Sequence, residues 1–133
     1  MVDLQLKKLI SDVIKVPEAY ELVAGNKGAV YVDAIKIATP GAYLRGTLLM
    51  SGSDGFVKAT ENGIKTASEV CILADDVLLE NNEEAYVAAY FTGEFNDTKV
   101  IFPFEEEDDD HDEIVEVVRE PLRKAKIFLR NMN

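Results

Sequence analysis

An α+β domain that is mainly β, with short strands, a C-terminal helix and a final strand, is the fold class this sequence predicts. Three observations carry it. Between residues 30 and 104, short runs rich in Val, Ile, Tyr and Phe alternate with glycine-bearing turns. Beyond residue 113 the apolar spacing switches to the helical repeat. The chain then closes on Ile127-Phe128-Leu129, a branched and aromatic run that suits a strand. With 133 residues, 47% of them apolar, the chain can bury one core without disulfides and is short for two domains.

Taken in order, residues 2–16 place Leu6, Leu9, Ile10, Val13 and Ile14 at helical spacing, with Lys7, Lys8, Asp12 and Lys15 between them. A short amphipathic helix there would end before Val16-Pro17, because the residue preceding proline disfavours helical geometry. An isolated helix of that length is marginal in water, so the segment docks on a surface or stays a loose arm. Gly25-Asn26-Lys27-Gly28 signals a turn. Val30, Val32, Ala34, Ile35 and Ile37 form a β-rich run with imperfect alternation, closed by Thr39-Pro40-Gly41. Residues 44–50 read as a strand, 51–55 as a flexible turn and 56–60 as a second short strand, followed by the tight-turn dipeptide Asn62-Gly63. Residues 70–74 are continuously apolar, as a strand buried on both faces would be. Residues 86–92 continue the pattern and are expected to stop at Gly93, and 100–104 make one more strand. Ile114, Val117, Val118, Leu122 and Ala125 then share a helical face. Pro121 should kink that helix or divide it in two. Acids at its start and Arg119, Arg123, Lys124 and Lys126 at its end match the helix dipole.

The formal charge of −11 is concentrated in one place. Residues 105–113 read EEEDDDHDE, and without them the balance is 17 acids against 14 bases. An acidic chain with no basic stripe cannot neutralise phosphates, which argues against nucleic acid as a partner. No run approaches the roughly eighteen apolar residues of a membrane span, so no membrane partner is expected. The first residues are too polar for a secretory signal, and the chain reads as one made in a cytoplasm.

Candidates for chemistry are few. Cys71 stands in an apolar run, where a buried small hydrophobe is the expectation. The single histidine, His111, lies within the acidic run, where carboxylates favour its protonated form. Consecutive acids with no bending glycine suit a solvated, self-repelling loop better than a calcium site. Asp75 and Asp76 are adjacent, so in a strand they would face opposite sides, and acids after a strand commonly bind turn amides. Glu83, Glu84 and Glu94 have no identifiable partners in the sequence. No phosphate loop, zinc ligand set or serine–histidine arrangement is present, so no catalytic residue, cofactor or metal is predicted.

Five pieces in order carry a resemblance. They are Ala42-Tyr43-Leu44-Arg45-Gly46-Thr47-Leu48-Leu49, then Phe56-Val57-Lys58-Ala59, then residues 67–77 containing Val70-Cys71-Ile72-Leu73-Ala74-Asp75-Asp76-Val77. Residues 86–96, from Tyr86 to Asn96, follow, and a helix before Ile127-Phe128-Leu129-Arg130 completes the set. Over residues 42–130 this order resembles the lambda-type head decoration proteins of tailed bacteriophages. The first forty residues and the acidic run depart from that family's pattern. The resemblance implies a β-clip-like domain, a homotrimer, the major capsid protein as partner, and a place on the capsid surface of the virion. It divides the chain into an N-terminal segment, 1–41, holding the helix or arm plus a first strand, and a β-rich domain, 42–133. The function so implied is structural: clamping an assembled head without chemistry. Another non-enzymatic head or tail accessory module, or a small β-fold enzyme, is the alternative.

A loose arm that adds to a neighbouring sheet orders on binding and so gains modest affinity, which three arms on a trimer multiply. Leu4, Leu6, Leu9, Val13 and Val16 are the expected capsid-contact residues of such an arm. Deleting residues 2–16 is therefore expected to abolish sedimentation with capsids while leaving the trimer folded, and full retention of binding would contradict the assignment.

Overall fold

A computed structural model describes residues 22–25, 30–81 and 83–131. The expected N-terminal helix or arm, its five contact residues and most of the 25–28 turn lie outside the described residues. Within them the chain is mainly β, with one α-helix and a final strand, as the sequence predicts. The strands are β1 (Val23–Gly25), β2 (Tyr31–Ile37), β3 (Gly41–Tyr43), β4 (Leu48–Gly52), β5 (Gly55–Lys58), β6 (Val70–Leu73), β7 (Val77–Leu79), β8 (Ala85–Asn96) and β9 (Ile127–Arg130). Helix α1 spans His111–Lys124.

Pairing closes a small barrel. Strand β8 pairs β2, β2 meets β5 at Ile37 and Phe56, β5 pairs β4, β4 pairs β6, and β6 returns to β8 through Ile72–Tyr90 and Leu73–Ala89. The β3–β7 pair adds Tyr43, Val77 and Leu79 to the barrel interior, which also holds Ile35, Ile37, Leu49, Cys71, Leu73 and Ala89. A second core lies on the outer face, where Leu48, Val70 and Ile72 pack beneath Val115, Val118 and Leu122 of α1. Successive residues of a strand face opposite sides. Leu48 and Ile72 accordingly point to the helix and Leu49 and Cys71 to the barrel, so the continuous apolar run at 70–73 is buried on both faces.

Five sequence expectations need correction. The first is the end of the strand at Gly93. Strand β8 runs through Gly93 to Asn96, because this glycine takes φ +143°, a conformation side chains rarely adopt. Before the bend β8 pairs β2 and β6; after it, β8 lies between β1 and a parallel β9. Second, residues 44–46 are a turn rather than strand. Gly46, at φ +95°, lets Thr47 N–H and Oγ1 both donate to the Leu44 carbonyl, at 3.1 and 2.6 Å. Third, the flexible turn expected at 51–55 narrows to Ser53 and Asp54, because Ser51 and Gly52 pair with Phe56 and Gly55, whereas Asn62-Gly63 does open a tight turn, a single 3-10 turn that buries Ile64. Fourth, residues 100–104 form only one bridge, Ile101 to Thr47. Pro103 has no N–H for a ladder, and Glu105 N–H donates to the Phe102 carbonyl at 2.9 Å, closing a turn around the proline. Fifth, of the two outcomes expected at Pro121, division does not occur: α1 is continuous from His111 to Lys124, with Val118 and Leu122 on either side of the proline both fully buried. Val115 rather than Val117 completes the buried face, and Val117 is half exposed.

The helix ends carry their own instructions. Asp110 caps α1, its Oδ1 accepting Asp112 N–H at 3.0 Å, and Asp112 and Glu113 in the first turn answer Arg123 and Lys124 in the last. Ala125 and Lys126 N–H groups then donate to Leu122 and Arg123 carbonyls, at 3.0 and 2.9 Å, turning the chain into β9.

A Cβ on Gly93 would stand 3.2 Å from both Phe95 Cζ and Val30 Cγ2. Gly93→Ala is expected to destabilise the fold by about 1–3 kcal/mol, read as a lower urea midpoint with an unchanged denaturant slope.

Candidate binding surface

The acids that the sequence leaves without partners find them in the fold. Glu94, on the buried half of β8, accepts from Arg130 Nη1 at 2.8 Å across the β8–β9 pair. Glu84 Oε2 lies 3.2 Å from Lys36 Nζ, which also donates to Asp54 Oδ1 at 3.1 Å. Glu83 Oε1 accepts the Glu80 N–H at 2.7 Å. Asp76 accepts the Arg45 N–H at 2.8 Å, tying the 44–47 turn to the bend after β6, while Asp75 is exposed. The two aspartates therefore point to different tasks, and neither faces a shared cleft.

Cys71 is fully buried in the barrel interior, where burial first and Glu69 second push its thiol up to about 12. A thiol held neutral and out of solvent is a poor nucleophile. Among the described residues no set of three or more His, Cys, Asp or Glu side chains converges as metal ligands. No described helix is long and apolar enough to cross a membrane.

An open groove of about 710 Å³ runs between the last turn of α1, the 3-10 turn and the β2–β8 pair. Lys65, Lys124, Glu69 and Glu120 line it with both signs of charge, and Tyr31 and Phe91 form its apolar end. The hydroxyl of Tyr31 donates to Asp33 Oδ2 at 3.2 Å, and that bond raises its pKa most.

The clearest unburied apolar feature is the outer face of the β2–β8 pair. Helix α1 covers the outer face over β4 and β6 but leaves this part bare. Val32 and Tyr86 are 47% and 71% exposed, the paired Ala34 and Ala88 between them present only methyl groups, and Lys36, paired with Tyr86, ends the apolar stretch with its ion pairs to Asp54 and Glu84. Tyr90, paired with Val32, is already in contact with the outer core. The face is thus a continuation of the core surface that no described element covers. Beside it, the far edge of β2 over residues 31–35 pairs with no described strand, and Asp33 Oδ1 takes the Ala34 N–H at 2.8 Å. A charge on an edge strand discourages another strand from adding there. The face, rather than the edge, is the surface available for docking.

Sequence reasoning missed this face. Its only sequence sign is the imperfect alternation at 30–37, where apolar residues occupy both parities.

Native Cys71 is expected to resist a thiol reagent and to react fully once the chain is unfolded; fast native reaction at neutral pH would contradict its placement. A scan against protein-family models finds no match to this chain, and a search of curated proteins finds none either.

Proposed function

We propose that this chain is a structural virion protein that binds the outer surface of an assembled phage capsid as a trimer and stabilises the head. The observation that carries the reading is the bare β2–β8 face. Apolar faces left uncovered on a small domain mark contact surfaces, and this one sets Ala34 and Ala88 between Val32 and an exposed Tyr86, with Lys36 and its ion pairs beside Tyr86 as a polar rim. Tyrosine is among the side chains that concentrate binding energy at interfaces, since a large rigid ring orders at little entropic cost. In the proposed trimer the face packs against a neighbouring copy, leaving residues 2–16 to reach the major capsid protein.

Three further features support a role by shape. The five segments of family resemblance fall on β3 to β6, the first residue of β7, β8, α1 and β9, which include every barrel strand except β2. The one thiol is sealed inside the barrel. The acidic side chains at 75, 76, 83, 84 and 94 are spread among separate turns and pairs rather than gathered around a cleft.

Light scattering on a sizing column is expected to give the mass of a trimer, and the protein is expected to sediment with expanded empty heads in near-equal proportion to the coat subunit. Tyr86→Asp, which puts a charge on the bare face, should weaken self-association by about 2 kcal/mol or more, about thirtyfold in Kd, with the barrel still folded. A monomer that ignores capsids would overturn the reading and favour a different accessory module.

A further inference from the structure

His111 is the first residue of α1, yet its ring turns back onto the chain before the helix. Nδ1 lies 2.7 Å from Glu105 Oε1 and Nε2 lies 2.7 Å from the carbonyl oxygen of Asp97. The ring also stacks on Phe102, with centroids 5.3 Å apart and planes at 39°. One side chain thus joins three pieces: the turn after β8, the Phe102–Glu105 turn and the start of α1.

Both of its partners are oxygens. The Asp97 carbonyl can only accept, and an ionised Glu105 can only accept. A neutral imidazole carries one N–H, so whichever nitrogen keeps it, the other presents a lone pair to an oxygen at 2.7 Å. The arrangement is satisfied only when a second proton is present on the His111–Glu105 pair. Because a free carboxylate is the weaker base, that proton belongs to the imidazolium.

We infer that His111 is a proton-operated clasp that pins the acidic run 105–110 to the body of the domain when protonated and releases it when the proton is lost. From the acidic run Glu105 binds the ring, and Glu106 and Glu107 line the same recess. From the turn after β8 comes Asp97, and from α1 come Asp112, Glu116 and Arg119, which act on Asp97. Acids outnumber bases among these groups, so loss of the imidazolium leaves like charges together and takes from the Glu105 carboxylate its bond to the ring, while the Glu105 N–H stays on the Phe102 carbonyl.

The direction of the histidine's own equilibrium agrees. Burial would lower its pKa, but the bonds to the Asp97 carbonyl and to Glu105, and the charges of both acids, outweigh burial and raise it. A histidine whose folded value exceeds its unfolded one gives its full stabilisation below about pH 6.5 and loses it as pH rises through the folded value. The Glu105–Asp110 loop has internal bonds of its own, Glu106 N–H to Asp109 Oδ2 at 2.8 Å and Asp109 N–H to the Glu106 carbonyl at 3.0 Å. It can therefore swing as a unit when the clasp opens. The inference is independent of the capsid reading, since it concerns one chain by itself.

The chain has a single histidine, so an untagged protein gives one set of imidazole signals. A nitrogen–proton NMR titration of the full chain between pH 5 and 9 is the test. The imidazolium pattern is expected to persist above the midpoint of a free histidine, and the amides of Glu106 and Asp109 are expected to shift with the same midpoint. In Glu105→Gln the midpoint should fall towards the free value, and the melting temperature should lose the part of its pH dependence that tracks His111. A midpoint at or below the free value in the wild-type chain, or loop amides that move independently of the ring, would overturn the clasp.

Discussion

Strand β8 is asked to serve two sheets, and the backbone at Gly93 is what allows it. Up to Thr92 the strand closes the barrel between β2 and β6; past the glycine it becomes the centre of a separate three-strand layer with β1 and β9. A residue with a Cβ resists φ +143° and would meet Phe95 and Val30 at 3.2 Å. Without that bend the outer layer would continue in the direction of the barrel wall, and Phe95, now fully buried, would have no core to enter. The helix depends on the same corner, because β9 pairs parallel to β8 and a parallel partner must be reached through a crossover, here α1.

The two cores follow from this geometry. A barrel of short strands can fill its interior with one side of each strand; the other side needs a cover. Helix α1 covers the part of the outer face over β4 and β6, with Val118 and Leu122 fully buried there. Beyond Tyr90 it leaves the β2–β8 pair uncovered, which keeps Val32 and Tyr86 in solvent. The bare face is therefore a consequence of helix length and placement, and supports the reading of a domain that completes its cover with a neighbouring copy.

Charge is handled locally. The acids within the body are absorbed singly: Glu94 by Arg130, Glu84 by Lys36, Asp76 by a backbone amide. The dense run at 105–110 is handled by position instead, placed just before the helix, where Asp110 caps the first turn and His111 reaches back to Glu105. A like-charged loop costs least when it stands in solvent and is tethered at its ends. Here the tether is a titratable ring set on the apolar surface of Phe102.

Much of the fold was legible in the residues. Period and composition placed strands at 30–37, 56–60, 70–74 and 127–129 and a helical face from 114 to 125, each within a few residues of the strands and helix observed, because local patterning dictates which backbone each segment favours. The burial of Cys71 and the solvation of residues 106–110 followed from their immediate neighbours, whereas residues 111–113 of the acidic run join α1 and Glu105 and His111 are partly buried. What the residues in line left open were questions of who meets whom. Gly93 read as a stop because a glycine can end a strand or bend it, and only the presence of partners on both sides of the bend decides which. Residues 100–104 had the composition of a strand and lacked a neighbour to pair with beyond Thr47. Glu94 and Arg130 stand 36 residues apart, and their ion pair exists only because β9 returns beside β8. The same is true of the bare face, whose exposure depends on where α1 stops. Local sequence determined the elements and their chemistry; tertiary structure decided their partners, because pairing depends on distances that the order of residues along a chain does not contain.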